Sequence, residues 1–155
     1  MKLNTLINAA IFSLTASVAL AESEIHVMDT MVFETAPTAM AGGGFMQIMN
    51  HGDTDDMLID VRADYPRVEI HTTEFADGVA KMIHIEGVPV PAGGMATLEP
   101  GGFHVMFMGL QGTPFVLDEM IPATLVFEYA GEVEVMFKVV ARGEHGNMNH
   151  GEMNH

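Results

Sequence analysis

The sequence predicts an all-β protein: an antiparallel sandwich or Greek-key barrel in a single domain. Three observations lead there. Helix-period patterning is hard to find beyond the N-terminal segment. Short runs rich in Val, Ile, Phe and Thr alternate with polar residues. Clusters of Gly, Pro, Asn and Asp separate these runs at close intervals.

Taken in order, strands are expected near residues 24–33, 44–49, 57–63, 67–73, 79–85, 95–98, 103–108, 123–129 and 132–140. The first is bounded by "TAPTAMAGGG" (35–44), which reads as a flexible loop. "NHGDTDD" (50–56) separates the second and third. "TTEFADG" joins the 67–73 and 79–85 runs as a hairpin. "PAGG" (91–94), "EPGG" (99–102) and "YAGE" (129–132) supply the later turns. Each of these connections carries residues that reverse the chain cheaply.

The N-terminus is different. Lys2 precedes an uncharged apolar run from Leu6 to Leu20, and Ala19-Leu20-Ala21 is an A-x-A cleavage pattern. Residues 1–21 therefore read as a secretory signal peptide, too short for a bilayer anchor. Residues 22–142 form the folded domain, and no later stretch is apolar enough to insert in a membrane.

The chain has no cysteine, 6 Lys plus Arg and 21 Asp plus Glu, for a formal net charge of −15. An exported protein without cysteine folds without disulfides and cannot form the Cys-ligated site of a blue-copper electron carrier. The acidic surface repels nucleic acid and suits a cation or a cationic partner.

Methionine is over-represented, with 15 in the chain beside 8 histidines. Five of these side chains, His145, Met148, His150, Met153 and His155, crowd into "HGNMNHGEMNH" (145–155). That segment holds no core-forming residue other than methionine, so residues 143–155 are read as a disordered metal-binding tail.

Within the domain, a histidine and a methionine recur on three expected strands. They are His71 in "YPRVEIHTT", Met82 in "DGVAKMIHIEG", and His104 with Met106 in "GGFHVMFMGLQG". Their spacing is His-x10-Met-x21-His-x-Met. With the flanking "VEIH", "DGVAKM", "VPAGG", "LEPGGFHVMFMGL" and "FEYAGEVEV", it resembles the periplasmic copper chaperones of the PCuAC family over about residues 24–140. The resemblance implies a cupredoxin-like β-sandwich in the periplasm that binds Cu(I) through His71, Met82, His104 and Met106. It also implies delivery of copper to the copper centre of a respiratory cytochrome c oxidase. The partner would be a copper-accepting protein, either an oxidase subunit or another copper chaperone.

The chemistry of the four side chains agrees. Soft thioethers favour Cu(I), and imidazole suits copper as well. All four are neutral, so Cu(I) would leave one net charge at the site and Zn(II) two, with no anionic ligand to offset it. His104 and Met106 lie two apart and share a strand face.

Among the remaining candidates, Met108 is assigned to core packing and His84 to a place beside the ligands or on the surface, with an auxiliary ligand role as its alternative. His51 is placed in a solvated turn, and His26 and Met28 on a β-edge with no role. Asp53, Asp55 and Asp56 read as an acidic turn. No nucleophile motif marks an enzyme. The tail is expected to gather copper, including Cu(II) on its histidines. The alternative function is copper sequestration or resistance without a specific acceptor.

Overall fold

The computed structural model describes residues 23–143. The signal-peptide assignment and the Met/His tail lie outside them. Ten strands follow in chain order: β1 (Ile25–Phe33), β2 (Ala41–Asn50), β3 (Asp56–Arg62), β4 (Arg67–Ala76), β5 (Val79–His84), β6 (Val88–Val90), β7 (Met95–Leu98), β8 (His104–Met108), β9 (Met120–Phe127) and β10 (Gly131–Val140). The described residues contain no helix long and apolar enough to cross a membrane.

The strands pair in the order β5-β4-β8-β2-β1-β10-β9-β3-β6, with β7 joining β2 beyond the end of β8. A parallel pairing of β1 with β10 links the two halves of this sheet. Both halves then bury their inner faces in one core. Val32, Met46, Ile48, Ile70, Val105 and Phe107 come from one side. Leu58, Val61, Leu125, Phe127, Phe137 and Val139 come from the other. The result is the expected β-sandwich. Its strand path is open, ending at β5 and β6, so it does not close as a barrel.

Period-two alternation places the side chains. In β9, Ile121, Ala123, Leu125 and Phe127 are buried while their neighbours are more exposed. In β8, Val105 and Phe107 face the core. By parity His104, Met106 and Met108 face outward. Met108 is thus not a core residue: it is half-buried on the outer face, with its sulfur 3.2 Å from Nη2 of Arg67.

Three stretches are more regular than the sequence suggested. Ala41–Gly44, expected as loop, is strand paired with Met108–Val105 of β8. Glycine is needed there because aromatic rings fill the space of its absent side chains. A Cβ at Gly42 would stand 2.6 Å from Phe115, and one at Gly44 2.8 Å from Phe107. The β4–β5 hairpin is tighter than "TTEFADG" implied. Both strands run to a two-residue turn, Asp77-Gly78, in which both residues have positive φ (52° and 75°). That is the geometry that asparagine or aspartate followed by glycine favours in a hairpin. Finally, β9 starts at Met120 despite Pro122, because the ladder with β3 extends only to Thr124 and β9 has one neighbour at the proline.

The acidic turn divides by role. Asp56 is only 4% exposed. Its carboxylate accepts bonds from Ser23 Oγ and from the backbone N–H groups of Met57, Tyr129 and Ala130. Burial pushes its pKa up, but these four donors outweigh burial and hold it below the usual carboxylate value. Asp55 accepts from the Ala92 N–H. Asp56 is therefore a structural anchor joining three connections, not a hard-cation ligand.

Candidate metal centre

The β5-β4-β8 end of the sheet brings the predicted ligands together. His71 of β4 stands directly opposite His104 of β8 on one side and His84 of β5 on the other. Met106 is opposite Glu69, and Met82 is opposite Thr73. Directly paired residues share a face, as do residues two apart. His71, Met82, His104 and Met106 consequently lie on one face, turned away from Ile70, Val105 and Phe107. The His71 ring centroid is 5.9 Å from those of both His104 and His84.

Hydrogen bonding orients the two central imidazoles. His104, 3% exposed, has Nδ1 3.0 Å from the Gly102 carbonyl oxygen. The carbonyl can only accept, so Nδ1 carries the proton and Nε2 presents its lone pair. His71 has the opposite arrangement. Its Nε2 donates to Glu69 Oε2 at 2.8 Å, leaving Nδ1 with the lone pair. Among the described residues, His71 Nδ1 and His104 Nε2 are the buried side-chain nitrogens with no hydrogen-bond partner. An unpaired buried acceptor is costly, whereas an imidazole oriented by a carboxylate or carbonyl is the usual arrangement of a metal ligand.

The surroundings hold this arrangement in place. The Glu69 carboxyl lies below its usual pKa, chiefly through the bond from His71; burial opposes this, and the Arg67 and His84 charges reinforce it. Arg67 Nε is 3.4 Å from Glu69. The turn before β8 closes through Gly102 N–H to the Glu99 carbonyl and Glu99 N–H to the Phe103 carbonyl, with Gly101 at φ 87°. The Gly102 carbonyl also accepts the Thr73 N–H at 3.2 Å, so one backbone atom ties the His104 ring to β4. Phe45 of β2 covers His104, with ring centroids 6.4 Å apart. Met106 sits between Glu69 and Gly43, half-buried, with the Phe45 ring 3.1 Å from where a Gly43 side chain would begin.

Met82 differs from the other three. It is 61% exposed on the edge strand and lies diagonal to His71, whose direct partner on β5 is His84. His84 Nδ1 is 3.8 Å from Glu69 Oε2, and Glu69, His71 and His84 offer ligand atoms within 4.8 Å of one another. His84 is thus an exposed residue at the margin of the site, beside the carboxylate that orients His71. Glu69 is a residue that sequence reasoning passed over. The signal was present in "VEIH", where a glutamate two before a strand histidine must share its face. His145, Met148, His150, Met153 and His155 lie outside the described residues.

Comparison with known proteins supports the same fold. The family model described as "Putative lipoprotein LpqE-like" matches residues 16–139. No curated protein matches the chain by sequence. Among solved structures, the copper-bound PCuAC domain from PmoF2 is 25% identical with a TM-score of 0.64, covering 79% of this chain and 97% of that one. The apo PCuAC domain from PmoF1 is also 25% identical at a TM-score of 0.64, covering 76% and 94%. The solution structure of Cu(I)-DR1885 from Deinococcus radiodurans, 24% identical, has the same fold at a TM-score of 0.58, covering 80% and 83%. With its family model spanning most of the sequence and its sheet matching solved PCuAC domains, the chain belongs to the LpqE-like family.

Proposed function

We propose that this protein is an exported copper(I) chaperone that binds one Cu(I) through His71 Nδ1, His104 Nε2, Met106 and Met82 and passes it to an acceptor. The observation that carries the reading is the pair of neighbouring buried imidazole nitrogens without partners, on one face with Met106. The naming of similar domains as copper-bound and Cu(I)-bound supports it. So does the donor chemistry, neutral and half thioether, which suits a soft monovalent ion.

Transfer would proceed by ligand exchange. Met82 is the exposed ligand on an unpaired edge, so an incoming thiolate or thioether replaces it while the two imidazoles hold the ion. The hairpin beside it exposes Phe75 on the face it shares with Met82, an apolar contact for an incoming acceptor, while Val79 and Ile83 are exposed on the opposite face. An exposed thioether beside an exposed aromatic ring favours delivery over mere sequestration. In this reading residues 1–21 direct export to the periplasm and 22–142 form the copper domain. The tail of 143–155 raises local copper concentration, as Cu(I) or as Cu(II) on its histidines. The acceptor is the copper centre of a cytochrome c oxidase or another chaperone serving it, and no catalytic step is assigned to the chain.

Anaerobic titration with Cu(I) against a chromophoric chelator tests the site. One tightly held equivalent, lost in His104→Ala and retained in excess Zn(II), is expected. Displacement of Cu(I) by equimolar Zn(II) would overturn the ligand assignment. Copper transfer to an acceptor apoprotein no faster than release to bulk would favour sequestration.

A further inference from the structure

The outward face of the sheet carries a second group of imidazoles and thioethers, on strands that the site above does not use. His26 of β1 stands directly opposite Met49 of β2, and Met49 directly opposite Met95 of β7. Cross-strand partners of this kind have Cβ atoms about 5 Å apart on the same face, so the three side chains form one row across three strands. His51 continues the alternation of β2 two residues beyond Met49. Its backbone N–H donates to the Glu24 carbonyl at 2.8 Å, extending the β1–β2 ladder in register. Its ring centroid lies 6.2 Å from that of His26.

The row points away from the core. Ile48 and Ala96 are buried on the opposite face, and Ile25 and Val27 pack against the core from β1. His26, His51 and Met95 are exposed and Met49 is half-buried. Core packing therefore does not account for either thioether. Among the described residues, neither imidazole makes a side-chain hydrogen bond or ion pair, so both rings keep a lone pair available in the neutral form.

We infer that His26, Met49, His51 and Met95 form a second Cu(I) site, distinct from the one at His71 and His104. The two imidazoles and two thioethers are neutral donors of the types that select a soft monovalent ion. The sites cannot share an ion. Phe45, which covers His104, lies four residues from Met49 along β2, about 13 Å at strand spacing. Among the described residues no carboxylate or carbonyl holds the His26 or His51 ring, and the patch faces solvent. It therefore binds more weakly than the first site, fills after it, and exchanges faster. Its use as an entry point rests on the reading of the chain as a copper carrier; its existence does not.

The test is NMR of the full chain labelled with ¹³C at the methionine methyls, titrated anaerobically with Cu(I) supplied as its acetonitrile complex. Met49→Leu and Met95→Leu assign the two resonances. We expect the Met106 methyl to shift with the first equivalent, and the Met49 and Met95 methyls to shift together with a later one. His26→Ala with His51→Ala should abolish the Met49 and Met95 shifts and leave the Met106 shift intact, which also shows that the variant is folded. In His71→Ala with His104→Ala, the Met49 and Met95 shifts should persist. If Met106 responds while Met49 and Met95 stay unmoved at saturating Cu(I), the second site does not exist and the chaperone reading stands. If Met49 and Met95 respond while Met106 does not, the second site stands and the ligand assignment at the first fails.

Discussion

His71 and His104 stand opposite each other on adjacent strands and present different ring nitrogens, Nδ1 from one and Nε2 from the other, because different acceptors engage the remaining nitrogen. Glu69 fixes the first ring and the Gly102 carbonyl the second.

If Glu69 orients His71, its removal should weaken copper binding without touching a ligand. Glu69→Ala is expected to lower Cu(I) affinity by roughly tenfold or more, the range found for partners of metal-bound histidines. Glu69→Gln, which still offers an oxygen to Nε2–H, should recover much of the loss. Chelator competition measures both. Equal affinity in all three chains would mean that the His71 ring is held by something else.

Met106 and Met108 share the outer face of β8 and differ only in position along it. Met106→Ala and His104→Ala should each cost at least about tenfold in Cu(I) affinity, or about 1.4 kcal/mol. Met108 lies one pair further along, against Arg67 and half-buried. Met108→Ala should leave affinity unchanged and cost roughly 1 kcal/mol or less in urea unfolding, below the 2–5 kcal/mol typical of a fully buried methionine. A large affinity loss in Met108→Ala would move the ion toward that end of the strand.

Asp56 makes a pH prediction. Its folded pKa is depressed, so the stability it contributes is full above the unfolded carboxylate value of about 3.9 and is lost as pH falls through the lower folded value. The stability of the native chain should decline on acidification below about pH 4. Asp56→Ala, which strands three backbone N–H donors in part-buried positions, should be destabilised by on the order of 2 kcal/mol at pH 7. It should also lose less than the native chain on acidification. Parallel pH dependence in the two chains would remove Asp56 from the account.

The tail can be tested by truncation after Arg142. Imidazole binds metal only when neutral, and free histidine titrates near pH 6.5. Copper equivalents held by His145, His150 and His155 should therefore dissociate between about pH 7 and pH 5 and be absent from the truncated chain. The equivalent at His71 and His104 should persist in both. Identical copper stoichiometry in the two chains at pH 7 would deny the tail a binding role.

Much of this architecture was legible in the sequence, and what was not shares a physical cause. The alternation of β9 and β10 announces itself through side chains with clear preferences, whereas the seven residues read as the β4–β5 connection hide a two-residue Asp77-Gly78 turn. Ala41–Gly44 does not, because its strand character resides in the Phe107 and Phe115 rings that pack on its bare backbone. The three-residue β6, with Pro89 at its centre, is too short to show a period. The four candidate ligands could be listed from their spacing and the family resemblance it carries. Their ring nitrogens could not, because tautomers depend on Glu69 and on a backbone carbonyl whose position only the fold determines. Met108 was misplaced by counting it as apolar when strand parity already set it beside Met106.

The two imidazoles differ in how easily descent could erase their orientation. His71 depends on the side chain of Glu69, which a single codon change can delete. His104 depends on a main-chain oxygen that every amino acid possesses. Residue 102 itself has no positive φ, and a methyl group there would meet Glu99 at an ordinary 3.6 Å. Substitution at 102 should thus drift freely among relatives without loosening His104. The inherited constraint falls one residue earlier, on Gly101, whose φ of 87° few other residues adopt.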